Sequence, residues 1–361
     1  MRTAAIIGTG LIGTSVALAL TRRGVSVYLS DRDESALRTA ASLGAGDVSE
    51  PSAPVDLAVV AVPPAHVAAV LGDVQRRGLA AAYTDVASVK AGPQDAAAAH
   101  GVDQKTYIGG HPLSGREITG PLGARADLFD GRPWVLTPTA ETGRDALNRA
   151  LELISLCGAV PVVMDAADHD HAVALISHTP HVVSAIMAAR LEHASEDAAR
   201  IAGPGVRDVT RIAAGDPQLW QEILSANANA VADVLEDYAA DLDAAVGALR
   251  ALAAADGDKR ASAREALVAL LQRGNAGQSR IPGKHGAPRA VYAAVQVVIS
   301  DAPGELARLF AAAGAAGVNI EDVRIEHSPG QAVGLVTLQV APESAELLTA
   351  RLTERGWTVQ S

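Results

Sequence analysis

The run Thr3-Ala4-Ala5-Ile6-Ile7 leads directly into Gly8-Thr9-Gly10-Leu11-Ile12-Gly13. An apolar strand, then G-x-G-x-x-G, then the amphipathic stretch 12–23 is the fingerprint of a dinucleotide-binding βαβ unit. Each glycine has a separate task. Gly8 permits the tight turn, Gly10 lets backbone approach a pyrophosphate, and Gly13 lets the helix pack closely. The pyrophosphate would rest on the helix N-terminus, at Leu11 and Ile12. Asp31 closes the second apolar run, where it would accept from a ribose 2′-hydroxyl and repel a 2′-phosphate. NAD is therefore the expected cofactor. Val62 and Pro63, after the third run, complete the candidate cofactor set. The plainer alternative is a glycine turn in an α/β protein that binds no nucleotide.

Working outward, short apolar runs alternate with helical patterns through residues 1–165. That order implies βαβ units and a doubly wound, mostly parallel sheet of the Rossmann type. Residues 166–275 carry no strand signal. Leu219, Ile223, Val231, Leu235, Tyr238, Leu242 and Leu249 fall on one stripe, which predicts a single long helix in an all-helical domain. A second copy of the chain is the expected cover for it, making a homodimer. Residues 276–289 are rich in Gly, Pro, Ser and basic residues and read as a linker. Residues 290–361 follow the order βαββαβ, with a turn at Ser328-Pro329-Gly330. That is the ferredoxin-like α+β pattern.

The 361 residues are 49% apolar and 20% charged, as in a folded globular protein rather than a disordered one. The net charge of −11 and scattered basic residues argue against nucleic acid as a partner. Cys157 is the lone cysteine, so no intrachain disulfide can form and a reducing, cytoplasmic setting is expected. No secretory leader is expected, because Met1 stands almost against the first strand. No membrane span is expected either, because the apolar stretch 57–71 is broken by Pro63 and Pro64.

Ligands in such sheets bind beyond the carboxyl ends of strands. Ala87-Ser88-Val89-Lys90 and His111-Pro112-Leu113-Ser114-Gly115-Arg116-Glu117 follow two consecutive strands. Oxidising an alcohol needs a group to take the hydroxyl proton, and the imidazole of His111 suits that task. Ser88 would hold the hydroxyl or orient the ring. The alternatives are helix capping for Ser88 and an ordinary His-Pro turn for His111. The cluster Asp168-His169-Asp170-His171 with Ser177-His178-Thr179-Pro180-His181 lacks metal-ligand spacing, so no metal is expected. It reads as a polar, substrate-facing surface. Arg211, with Arg207 and Asp208 nearby, is a candidate carboxylate clamp; the alternative is a surface ion pair.

These motifs, in this order, resemble the prephenate and arogenate dehydrogenase family over residues 3–250. Asp301-Ala302-Pro303-Gly304-Glu305-Leu306 with Gly317-Val318-Asn319-Ile320 is similar to an ACT domain. The resemblance implies NAD-dependent oxidative decarboxylation of prephenate to 4-hydroxyphenylpyruvate in tyrosine biosynthesis. It implies His111 and Ser88 as catalytic residues, with Arg211, His178, His181 and Ser177 on the substrate. Arg116 departs from the family, which often has a small or polar residue there, and is expected beside the side-chain pocket, favouring the pyruvyl carboxylate of prephenate. It also implies an amino-acid effector at Asp301, Pro303, Gly304, Asn319 and Ile320. Rival readings are an arogenate dehydrogenase, a β-hydroxyacid dehydrogenase, and a non-catalytic module that senses NAD or amino acids. The β-hydroxyacid reading wants a lysine on a helix of the second region, and none falls within 166–250.

Overall fold

The computed structural model describes residues 1–114, 119–253, 257–281, 291–327 and 332–360. Two compact units divide the chain, Met1–Val246 and Gly247–Ser361.

The first unit opens with β1 (Thr3–Ile7), α1 (Leu11–Arg22), β2 (Ser26–Ser30), α2 (Glu34–Ser42), β3 (Leu57–Val60), α3 (Val67–Arg76), β4 (Tyr83–Asp85) and α4 (Ala91–Ala99). β5 (Tyr107–Pro112), β6 (Pro133–Thr137), α5 (Arg144–Leu156) and β7 (Val160–Val163) follow. The seven strands form one sheet in the order β2-β1-β3-β4-β5-β6-β7. All neighbours are parallel except β5 and β6, where His111 stands opposite Val135. β3 is buried along its whole length, as helices on both faces demand. Because β1 lies between β2 and β3, successive crossovers diverge there. The resulting crevice opens at the carboxyl ends of those strands.

A helical layer follows: α6 (Ala166–Val173), a π turn over Ala174–His178, α7 (Thr179–Ala189), α8 (Glu196–Arg200), α9 (Pro204–Thr210), a 3-10 turn over Arg211–Ala214, and α10 (Pro217–Ala226). Pro180 has no N–H to give, and Thr179 donates five residues back to Ala174 rather than four. The segment Ala166–Ala189 is long and apolar enough to cross a bilayer. Its buried side chains include His169, Asp170, His178 and His181, as suits a helix lining a site.

The long helix expected from Leu219 to Leu249 is two helices. α10 stops at Ala226 and α11 (Ala228–Ala253) begins after Asn227. The apolar stripe continues across the break, so periodicity alone does not reveal it. Asn227 leaves helical geometry at φ −126° because its side chain serves partners far away in sequence.

The second unit holds α12 (Gly257–Ser279), then β8 (Ala293–Ser300), α13 (Glu305–Ala315), β9 (Asp322–His327), β10 (Val333–Val340), α14 (Pro342–Glu354) and β11 (Thr358–Gln360). The antiparallel order β11-β8-β10-β9 is that of the ferredoxin-like fold. Alternate residues of β8, Val295, Val297 and Ile299, are buried with Leu309, Leu348 and Leu352 of the two helices. α12 stays helical to Ser279, so the first residues of the expected linker 276–289 are helix. Residues 282–289, and the turn at Ser328-Pro329-Gly330, lie outside the described residues.

Candidate active site

A cavity of about 630 Å³ opens at the crevice, lined by Gly8, Gly10, Asp31, Val62, Pro63 and His66 among others. A Cβ on Gly8 would stand 2.2 Å from the Ala61 carbonyl oxygen, and Gly8 has φ +104°. A Cβ on Gly13 would stand 1.9 Å from the carbonyl oxygen of Gly8. Both glycines are therefore obligatory for the turn. Gly10 is different: nothing lies within 4 Å of its missing Cβ, and no side chain caps α1 there. Its backbone and the uncapped N-terminus of α1 are thus available to a pyrophosphate. Leu11, Ile12 and Gly13 belong to that first turn and are not among the cavity-lining residues.

Asp31 accepts from Thr9 N at 2.5 Å and from Thr9 Oγ1 at 2.9 Å. The carboxylate both braces the glycine turn and faces the cavity, with lone pairs left for a ribose hydroxyl. Sequence reasoning missed His66, which comes from the 3-10 turn after β3.

Along the carboxyl edge of the same sheet, β4 and β5 deliver Ser88 and His111. Ser88 is half-buried and does not cap α4, whose N-cap is Lys90. The cap comes instead from α6. Asp170 Oδ1 accepts from Lys90 N at 2.7 Å, and its Oδ2 accepts from Ala91 N at 2.9 Å. Lys90 turns its side chain inward. Its ammonium is fully buried, ion-paired with Asp85, and donates to the Gly110 carbonyl at 2.6 Å. Tyr107 OH donates to the other oxygen of Asp85 at 2.7 Å.

His111 Nδ1 lies 2.8 Å from His169 Nε2, and His169 Nδ1 lies 2.8 Å from Asp170 Oδ1. Burial, then the neighbouring His169, Lys90 and His178, hold His111 well below the ordinary histidine range. It is therefore neutral, and able to accept a proton, at neutral pH. Burial would raise the Asp170 carboxyl, but bonds from His169, Ala91 and Lys90 outweigh it and hold the acid low.

His178 is buried in the π turn, 3.2 Å from the side-chain nitrogen of Asn227, which also donates to the Asp170 carbonyl at 2.7 Å. His181 stacks on Trp220, with ring centroids 3.6 Å apart and planes 8° from parallel. Burial lowers the pKa of both histidines. Gly215 admits this stack: a Cβ there would stand 2.5 Å from Trp220 Nε1.

Ser177 and Arg211 are exposed. Arg211 makes no ion pair among the described residues, so the aspartate brace expected from Asp208 is absent there. Asp168 and His171 also face outward, and only His169 and Asp170 of that cluster turn toward His111. Arg116 lies outside the described residues.

In the second unit the expected effector residues do not converge. Asp301, Pro303 and Gly304 follow the end of β8. Asn319 and Ile320 precede Asp322, which pairs with Gln339, itself opposite Ala294 at the start of β8. The two groups thus sit at opposite ends of a strand eight residues long, roughly 25 Å apart.

With this geometry in hand, comparison with known proteins is specific. Residues 16–163 match the family model for the prephenate dehydrogenase nucleotide-binding domain, and 165–272 match that for its dimerization domain. A probable prephenate dehydrogenase, NovF of Streptomyces niveus, is 46% identical over 100% of both chains. The crystal structure of prephenate dehydrogenase from Aquifex aeolicus, in complex with hydroxyphenyl propionate and NAD+, superposes with TM-score 0.64. It is 26% identical and covers 78% of this chain and 98% of its own. Synechocystis arogenate dehydrogenase is 28% identical at TM-score 0.62, covering 76% and 98%. The glycine turn, the residues around His111 and the helical layer thus fall in one lineage: the chain belongs to the prephenate dehydrogenase family.

Proposed function

We propose that His111 and Ser88 carry the oxidative decarboxylation of prephenate by this NAD-dependent enzyme, with Arg211 holding a substrate carboxylate. The observation that supports the reading best is the neutral His111 ring, bonded through Nδ1 with Nε2 left without a protein partner among the described residues. Bound NAD supplies the hydride acceptor, and the uncapped α1 terminus with Asp31 would hold it. His111 Nε2 takes the proton of the C4 hydroxyl as hydride leaves C4. The developing carbonyl is conjugated to the ring carbon bearing the carboxylate. That carboxylate departs as carbon dioxide, its bonding electrons complete the aromatic ring, and His111 returns the proton to the phenolate. No net proton is consumed. The protein's work is positioning and proton handling.

His178 and the His181–Trp220 stack form the wall from α7 and α10, and Ser177 and Arg116 complete the proposed substrate set. The exposed apolar residues Leu175, Ile176, Ile186, Met187, Leu219 and Leu242 suit cover by a second copy, giving a homodimer. An amino-acid effector is proposed at the second unit. Contact with both Asp301–Gly304 and Asn319–Ile320 then requires two copies, since they lie at opposite ends of one sheet.

Initial rates with prephenate and with arogenate, each with NAD and NADP, test the substrate reading. Prephenate with NAD is expected to be turned over best. Faster turnover of arogenate would transfer the assignment to arogenate dehydrogenase, the activity named for the Synechocystis relative.

A further inference from the structure

The reading of His111 as general base leaves unexplained why its ring is bonded to a second, fully buried histidine. Asp170 receives two backbone amides and the Nδ1 of His169. An ionised carboxylate is an acceptor only, so His169 Nδ1 must carry the hydrogen. With its single ring hydrogen on Nδ1, His169 has its lone pair on Nε2. That nitrogen faces His111 Nδ1 at 2.8 Å, so His111 Nδ1 must be the donor. The one remaining lone pair of His111 is on Nε2.

We infer that Asp170 and His169 act in series as positioning residues, fixing His111 in the tautomer that presents a basic Nε2 to the substrate hydroxyl. The same chain spreads the charge that appears when His111 is protonated. The proton on His111 Nδ1 can shift toward His169 Nε2, leaving the positive charge beside the Asp170 carboxylate. No bond other than N–H is made or broken, and the proton returns by the same route. Asn227 anchors the arrangement by donating to the Asp170 carbonyl. Among the described residues, the other charged or titratable groups close by are Asp85 at the end of β4, Lys90 after it, and His178 in the π turn. The Lys90 cation opposes protonation of His111, which makes a compensating carboxylate at the far end of the chain the more necessary.

The inference rests on His111 being the base, and its test separates the two claims. In full-length enzyme labelled with ¹⁵N-histidine, two-bond ¹⁵N–¹H correlation should show a pyridine-type Nε2 for His111, identified by loss of its signals in His111→Asn. A protonated Nε2 in the neutral wild-type ring overturns the proposal whatever the kinetics. His169→Leu should lower kcat roughly 10²-fold, with KM and NAD affinity little changed. His169→Gln can offer Oε1 to the His111 donor and should stay within about tenfold of wild type. Asp170→Asn should lower kcat roughly 10²- to 10⁴-fold, by analogy with a triad whose orienting acid is neutralised. It should also move the acid limb of kcat/KM to lower pH, because removing the negative charge makes the protonated pair less stable. A merely structural role would not move that limb. If His111→Ala is inactive while His169→Leu turns over within about threefold of wild type, the relay is wrong and the base assignment stands. If His111→Ala is itself near wild type, the base assignment is what fails.

Discussion

The buried ammonium of Lys90 donates to the main-chain carbonyl of Gly110, the residue immediately before His111. One cation thereby ties the loop that carries Ser88 to the strand that carries His111. Burial pulls the Lys90 pKa down while the Asp85 charge holds it up, so the pair persists only as a pair. Lys90→Met strands Asp85 in the interior and is expected to destabilise the first unit by about 3–5 kcal/mol, read as a fall in melting temperature. The double variant Lys90→Met, Asp85→Asn should recover part of that loss. No recovery would mean that shape rather than charge governs this corner.

Gly215 lies under the His181–Trp220 stack. Gly215→Ala places a methyl 2.5 Å from Trp220 Nε1 and 2.9 Å from His181 Cε1, so one ring must move. Prephenate KM is expected to rise several-fold while NAD affinity stays constant, since none of the three residues lines the cofactor cavity. A changed NAD affinity with a constant KM would place the stack outside the substrate wall.

Arg211 stands without an ion-pair partner among the described residues, which suits a guanidinium kept for an anionic ligand. Against a chain charge of −11, binding of a dianion must depend on a few such groups. Arg211→Ala is expected to raise KM roughly 10- to 100-fold with a smaller change in kcat. Steady-state kinetics at constant ionic strength would show it. An unchanged KM would remove Arg211 from the substrate site.

Asp31 braces Thr9 and faces the cavity, so its loss should act twice. Asp31→Ala is expected to weaken NAD binding and to raise the NADP/NAD ratio of kcat/KM by about tenfold or more, as repulsion of a 2′-phosphate is relieved. Isothermal titration with NAD measures the first effect, and initial rates with each dinucleotide measure the second.

His111 is active in its neutral form and is held neutral well below the usual histidine range. Activity should therefore persist below pH 6.5 and fall only as the pH drops through that lowered value. Stability follows the same sign. A histidine depressed in the fold stabilises fully above its unfolded pKa and loses that contribution as the pH falls toward the folded one. On acidification, melting temperature should begin to decline near the unfolded histidine pKa, while kcat/KM falls only later, as the pH drops through the lowered folded value. A rate that halves near pH 6.5 would contradict the lowered pKa of His111.

The strand–helix alternation, the glycine turn and the βαββαβ order are legible because each is a local pattern, of apolar runs, of glycine spacing or of helical period. What escaped was set by distance along the chain. Asp170 caps α4 from 80 residues away, and His169 meets His111 across 58. Spacing rules see neither, so the cluster at 168–171 read as a uniform polar surface when only two of its side chains turn inward. Lys90 read as a loop residue, since a buried lysine is recognisable only once Asp85 and the Gly110 carbonyl are beside it. The break at Asn227 was hidden for the same reason: its partners, the Asp170 carbonyl and His178, lie on another helix.

The most direct measurement is prephenate-dependent NADH formation by the wild-type chain and by His111→Ala, with NAD affinity determined for both. General-base catalysis at His111 requires that the variant keep wild-type NAD binding and lose roughly 10²- to 10⁴-fold in kcat, along with the acid limb of its pH profile. A His111→Ala enzyme that turns over prephenate at a near-wild-type rate, with the same pH dependence, would contradict it.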